Sequence, residues 1–384
     1  MENDRKIIYA DHSATTYVKE EVLDEMLPYF KENFGNPSSN YALGIKAKEA
    51  LEDARCSIAN IFSVEKDEIY FTSGGSESNN MIIKGIVRKN KYKGKHIIIS
   101  RIEHLSVINT CKELENEGFE ISMLNVDKNG MINLKELIRS IRKDTILISV
   151  MCVNNEIGTI EPIQKIASIA KSFGILFHTD AVQAVGNVKL NVKELGVDAM
   201  SISAHKFYGP KGVGAAYISK NVCFSPLING GHQEKSLRAG TENVAGIVGM
   251  KKALEIATKN LDLHNEKMKR LRDSLYYKLK SNLDDIYLNG SFENRTNCNL
   301  NLYIKGVDSK TLILLLNMNG ICISGGSACN TNSKAPSHVL TAIGLGKDAA
   351  RQSIRITLGE ENEDLDINYM AYNIIKIVKK IRGE

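Results

Sequence analysis

Between residues 69 and 220, short β-rich runs alternate with helix-like stretches, and this rhythm constrains the fold more than anything else in the chain. The predicted strands are IYFTS (69–73), HIIIS (96–100), TILISVM (145–151), ILFHTD (175–180), DAMSIS (198–203) and GVGAAYIS (212–219). Helical patterns lie between them, for example at 104–117, 134–143 and 162–173. Strand–helix–strand alternation predicts a mostly parallel sheet with helices on both faces. Ligands in such sheets bind beyond the carboxyl ends of the strands, which is where the polar motifs of this chain fall. A helical stretch over roughly 241–281 interrupts the rhythm. After it, strands near 298–304 and 353–357 and helical patterns at 309–318, 336–343 and 364–381 predict a smaller α/β domain. The expected division is a large domain over 15–262 and a small domain built from 1–14 and 263–384, with the extreme N-terminus packing on the latter.

Composition narrows the function classes. The 384 residues are 43% hydrophobic and 25% charged, and a net charge of +5 is too small and too dispersed to argue for nucleic acid. The basic cluster Lys376, Lys379, Lys380 and Arg382 suits the end of a helix, where cations complement the dipole. Seven cysteines, at 56, 111, 152, 223, 298, 322 and 329, include no CxxC pair, so neither a zinc site nor a disulfide framework is suggested. Free thiols fit a reducing cytosol. No apolar signal region opens the chain and no apolar run approaches membrane-spanning length. A cytoplasmic protein with no membrane or direct nucleic-acid partner is expected.

The strand ends carry the chemistry. SISAHKFYGPKG (201–212) puts Lys206 just past a strand and then breaks on Gly-Pro. Alone, such a lysine reads as a solvated loop charge. Asp180 closes ILFHTD and is either a helix N-cap for AVQAVG or a functional anion. TSGGSES (72–78) follows a strand and opens a helix, where glycines, hydroxyls and free N–H groups make a phosphate site. Lysine, carboxylate and phosphate cradle together describe a pyridoxal phosphate site, with the carboxylate keeping the pyridine nitrogen protonated. His104, in SRIEH (100–104), fits over the ring and can move protons near neutral pH; by itself it reads as a capping or surface histidine.

The chain closely resembles the cysteine desulfurases, specifically the group serving nitrogenase and general iron–sulfur cluster assembly. The motifs run end to end: YADHSATT (9–16), FGNPSS (34–39), TSGGSESNN (72–80), EH (103–104), VNNEIGTI (153–160), HTDAVQAVG (178–186), SAHKFYGPKG (203–212), RAGTEN (238–243), SGGSAC (324–329) and SIRITLG (353–359). The resemblance implies a homodimer of the aspartate-aminotransferase-like fold (fold type I). It also implies conversion of L-cysteine to L-alanine with pyridoxal 5'-phosphate, leaving a persulfide on the enzyme for an acceptor or scaffold protein. It would make Lys206 the cofactor-bearing lysine, Asp180 the pyridinium contact and Gln183 a partner of the ring hydroxyl. Gly75, Ser76, Ser203 and His205 would hold the phosphate, with Thr241 reaching the phosphate of the neighbouring subunit. Asn155 would face the cofactor hydroxyl and the substrate carboxylate, with Asn36 and Arg355 also on the substrate. Arg355 has the planar fork a carboxylate wants, although an arginine in a strand is more often a surface ion pair.

Cys329 would be the second reactive group. A lone cysteine is usually an inert buried residue, but this one sits among Gly, Ser and Asn, where a thiolate could reach a substrate sulfur. No resident metal is expected, only iron–sulfur handover through Cys329. Cys322, in the apolar run ICI, is expected in the core. The chain departs from the family's usual pattern at Gly75-Ser76, at Gly325 and at Cys152. Selenocysteine lyase or another lyase or aminotransferase of the same fold is the alternative within enzymes, which Cys329 disfavours. A non-catalytic sulfur-transfer scaffold is the alternative outside them. Retention of Lys206, Asp180, His104, Cys329 and Arg355 together argues against that.

Overall fold

A computed structural model describes residues 7–325 and 335–384. Thirteen strands are formed among these residues: β1 (Ile8–Tyr9), β2 (Ile69–Thr72), β3 (His96–Ser100), β4 (Glu120–Leu124), β5 (Thr145–Ser149), β6 (Leu176–Asp180), β7 (Ala199–Ser203), β8 (Gly214–Ile218), β9 (Ile286–Leu288), β10 (Asn299–Ile304), β11 (Ile321–Cys322), β12 (Ser324–Gly325) and β13 (Ser353–Thr357). Seven build the large sheet in the order β2-β8-β7-β6-β5-β3-β4. Only β8 runs against the others, pairing antiparallel with both β2 and β7. The carboxyl ends of the other six therefore share one edge.

Strand β3 shows why the sheet is covered twice. In HIIIS, Ile98 belongs to one buried cluster with Ile58, Phe62, Phe71 and Phe177, while Ile97 and Ile99 belong to another with Ile82, Ile83 and Ile86. Successive residues point to opposite faces, so an unbroken apolar run needs helices on both sides. Helices Ala42–Phe62 and Val244–Lys259 supply one face, and Gly75–Asn90 and Leu105–Asn116 the other.

A second core gathers Leu271, Leu275, Leu302, Ile354, Ile356, Met370 and Ile374 around the antiparallel sheet β12-β13-β10-β9. Helices Leu261–Asn282, Ser309–Asn317 and Asp364–Arg382 pack on it. The N-terminal segment joins this second core: β1 pairs parallel with β11, and Thr357 N donates to Ala10 O at 2.8 Å.

Two expectations are corrected here. The stretch over 241–281 is two helices, broken at Asn260, which caps Val244–Lys259 and adopts φ −104°, ψ 11°. Edge strand β4, EISML, is absent from the predicted strands; its Ile121 and Met123 are only half-buried and Leu124 alone is fully buried.

Candidate active site

The polar groups converge where the sheet chemistry requires, beyond the carboxyl ends of β2, β3, β6 and β7. A cavity of about 520 Å³ is lined by Gly75, Ser76, His104, Asn155, Asp180, Gln183, Ser203, His205, Lys206 and Arg355, with Asn79, Glu77, Glu156, Lys211 and His338 among its other walls.

Lys206 ends a short 3-10 turn, Ala204–Lys206, directly after β7. Its Nζ donates to Ser13 O at 2.5 Å and Ala14 O at 2.7 Å, so the N-terminal segment holds the amine in the cavity. The Gly-Pro break follows from close packing: a Cβ on Gly209 would stand 2.9 Å from Ala204 O. Asp180 ends β6 and is followed by a turn rather than the helix it could have capped. Its Oδ1 accepts from Val182 N at 3.0 Å, capping the next turn, and its Oδ2 accepts from Asn79 Nδ2 at 2.7 Å. Each carboxylate oxygen has two acceptor positions, so capacity remains for a ring N–H.

Asn79 also fixes His104. Its amide gives a second hydrogen bond to Ser106 Oγ at 2.8 Å, leaving the Ser106 hydroxyl proton for His104 Nδ1 at 2.8 Å. Ser106 N donates to the same nitrogen at 3.1 Å. His104 Nδ1 is therefore an acceptor, and the neutral ring carries its proton on Nε2. Behind Asp180, His178 is enclosed by Ser149 and Ser201 and burial pulls its pKa down to about 3. His205 contacts Thr15 Oγ1 at 3.1 Å, and burial, then the charges of Lys206 and Lys211, lower it to about 4. Both rings are neutral at physiological pH.

The N-terminus of the Gly75–Asn90 helix forms another wall of the cavity. Gly74 at φ +149° turns the chain in a way L side chains rarely allow, and a Cβ on Gly75 would meet Val182 Cγ2 at 2.6 Å. The bare backbone and the free first-turn amides make a cradle of the right chemistry for a phosphate monoester. Gln183 lines the cavity, with Nε2 donating to Ser13 O at 2.9 Å.

At the opposite end, Arg355 is 1% exposed in β13. Nη1 donates to Asn155 O at 3.0 Å and Nη2 to Asp11 Oδ1 at 2.7 Å, while Nε has no partner among the described residues. A buried guanidinium donor without an acceptor suits an incoming carboxylate. Asp11 Oδ1 also accepts from Ser324 Oγ at 2.9 Å. One buried carboxyl, Glu156, lines this end, while a second, Glu103, lies at the sheet edge with its Oε1 accepting from Ser100 Oγ and Met151 N. Burial raises Glu156 to about 7, against a 2.5 Å hydrogen bond with Ser337, and raises Glu103 to about 8. His338 Nε2 donates to Glu103 O at 3.0 Å.

Cys329 lies outside the described residues. Thr241 and Asn36 are not brought to this cavity; they share a separate recess of about 250 Å³ with Phe34 and Pro37. Thr241 also stands before its helix rather than in it, because Asn243 is the cap, accepting from Gly246 N at 3.1 Å. Cys322 is half-buried in β11, not a core residue. Asn79, Ser106, Asp11 and Glu156 were missed as site residues although all but Ser106 lie in quoted motifs; nothing in a linear pattern says which polar residue faces the cavity. Among the described residues no cluster of three His, Cys, Asp or Glu could hold a metal ion, and no helix is long and apolar enough to cross a membrane.

The family model "Aminotransferase class-V" matches residues 8–370. A protein of Dictyoglomus turgidum named cysteine desulfurase IscS is 50% identical over 378 residues, covering 98% of this chain and 96% of that one. A protein of the same name from Methanosarcina thermophila is 50% identical over 383 residues, covering 100% and 95%. A solved structure titled "NIFS-LIKE PROTEIN" superposes with a TM-score of 0.92 at 37% identity, over 97% of this chain and 100% of that one.

Proposed function

The chain belongs to the class-V aminotransferase family and is a cysteine desulfurase dependent on pyridoxal 5'-phosphate, and from that premise we propose which of its residues do the work. The observation that carries the assignment is the convergence of Lys206, Asp180, His104 and Arg355 on one cavity. Lys206 holds the cofactor covalently, Asp180 its ring nitrogen, Gln183 and Asn155 its hydroxyl. Gly75, Ser76, Ser203 and His205 hold its phosphate. When bound, the cofactor supplies an electron sink that weakens bonds at the substrate's α-carbon.

The chain's own groups do the rest. Arg355, with its unpaired Nε, binds the substrate carboxylate beside Asn155 and so orients the α-carbon toward Lys206. Lys206 Nζ, held in the cavity by Ser13 O and Ala14 O, would move a proton at the α-carbon. His104 carries a proton on Nε2 for the same purpose. The Cys329 thiolate takes the sulfur: thiol and L-cysteine become Cys329 persulfide and L-alanine, with every atom accounted for. The persulfide then serves an acceptor protein of iron–sulfur cluster assembly, in the cytoplasm. The chain works as a homodimer, with Thr241 and Asn36 of each protomer offered to the other's site. Supporting this, exposed apolar side chains follow one another along the N-terminal region, Leu23, Leu27, Phe30, Phe34 and Tyr41, beside the recess holding Asn36 and Thr241. The break between helices at Asn260 supports a domain boundary near 262.

The test is alanine and sulfide release from L-cysteine, together with borohydride reduction and peptide mapping. The cofactor is expected on Lys206; finding it on Lys211 or Lys220 would refute the assignment.

A further inference from the structure

A partly buried ion pair beside the phosphate cradle takes no part in the scheme above. Glu77 stands in the first turn of the Gly75–Asn90 helix and lines the cavity. Its carboxylate accepts from Ser73 N at 2.9 Å, from Arg238 Nε at 2.7 Å and from Arg238 Nη2 at 3.2 Å. The two side chains are 11% and 20% exposed. Burial works to raise the Glu77 carboxyl, and the hydrogen bonds from Arg238 and Ser73 outweigh it, so the group stays ionised. An acidic residue suits a helix N-terminus in itself. Here it also places a negative charge where a phosphate dianion is to bind, and like charges at short range in a partly buried site repel strongly.

Arg238 is the group that answers that charge. Its own side borders a second recess of about 120 Å³, which shares Ser73 and Gly212 with the main cavity and includes Thr241. The Glu77–Arg238 pair thus forms part of the wall between the two. Through Glu77 it also ties down the amide of Ser73, which opens the Gly74–Gly75 turn.

We infer that Arg238 is a positioning residue for the cofactor's phosphate: it cancels the charge of Glu77 and, through that carboxylate, holds the Ser73–Gly75 turn in its phosphate-binding shape. This rests on the phosphate site proposed above.

The test is titration of cofactor-free protein with pyridoxal phosphate and, separately, with pyridoxal, following the absorbance of the bound cofactor. Arg238→Ala is expected to weaken pyridoxal phosphate binding by about tenfold or more. Pyridoxal, which has no phosphate charge, should bind wild type and Arg238→Ala within about twofold of each other. Glu77→Gln should bind pyridoxal phosphate at least as well as wild type, and Glu77→Gln in Arg238→Ala should recover most of the loss. Unchanged binding by Arg238→Ala, an equal loss for pyridoxal, or no recovery in the double variant would each overturn the inference. If Arg238→Ala does not fold, Glu77→Gln decides: tenfold weaker binding would mean that the charge is needed rather than merely neutralised. If wild type itself takes up pyridoxal but shows no preference for its phosphate, the phosphate-site reading fails and the inference with it.

Discussion

The two ends of the cavity are built differently. At the sheet edge the polar groups hold one another: Asp180 is shared between Val182 N and Asn79, Asn79 passes on to Ser106, and Ser106 fixes the tautomer of His104. At the other end Arg355 keeps a buried N–H without an acceptor among the described residues, and the carboxyl of Glu156 is pushed toward neutrality by burial. The first arrangement suits a group that stays through many turnovers, since nothing must reorganise to receive it. The second suits a group that comes and goes, because a donor left waiting gives an arriving carboxylate a place that the resting protein does not fill. Permanence and exchange are separated by some of the same residues, Asn155 and the 13–14 peptides, that join them.

Substitutions can test that separation. The largest effect is expected from Lys206→Ala, which should fold yet lose alanine production by on the order of 10³-fold or more and retain no cofactor through borohydride reduction; measurable turnover at the wild-type rate would remove the lysine from the mechanism. Cys329→Ala should split the two ends, keeping the yellow colour and the spectral change on adding L-cysteine while losing nearly all persulfide and alanine, on the order of 10²-fold. Persulfide mapped instead to Cys322 or Cys298 would show that the wrong thiol has been assigned. Arg355→Lys should raise KM for L-cysteine about 10–100-fold, through loss of charge-assisted hydrogen bonds, with cofactor affinity little changed. A loss of cofactor with KM intact would mean that the ends are not separate.

The smallest effect is on stability against pH, and its sign differs between two buried groups near Asp180. His178 titrates near 3 in the fold and at about 6.5 unfolded, so the unfolded chain binds more protons between those values. Stability from this group falls as the pH is lowered through that window. Glu103 titrates near 8 in the fold against 4.5 unfolded, so the folded chain binds more protons there and stability from this group falls as the pH rises from 4.5 toward 8. Melting temperatures of wild type and Glu103→Gln should therefore move apart between pH 5 and pH 8, in favour of the variant at the upper end. A difference that stays constant with pH would show that Glu103 is ionised in the fold.

Much of this was legible in the chain itself, for physical reasons that also mark the limit. HIIIS announced β3 because a strand covered on both faces is apolar throughout, and SIRIT announced β13 almost to the residue. Lys206, Asp180 and the Gly74–Gly75 turn could be read because each sits at or just past the end of a strand. Edge strand β4 could not, having little to bury. The break at Asn260 could not either, since no Gly or Pro marks it. Asp11, Asn79 and the Glu77–Arg238 pair act through partners 344, 101 and 161 residues away. Such distances leave no local pattern: the residue types are visible and their geometry is not.

The N-terminal segment 8–16 touches nearly every part of the site. It pairs with β11, bonds to Thr357, carries Asp11 to Arg355 and offers Ser13 O and Ala14 O to Lys206. During synthesis at a ribosome the partners of this segment on β13 are made more than 300 residues after it, 344 for the Asp11–Arg355 pair. At translation rates of roughly 5–20 residues per second, that is an interval on the order of tens of seconds. The large sheet has all its strands by residue 218 and can form in that interval, but the substrate end cannot. A nascent chain can therefore shape the proposed cofactor cradle well before Arg355, the residue proposed to hold the substrate carboxylate, has been made.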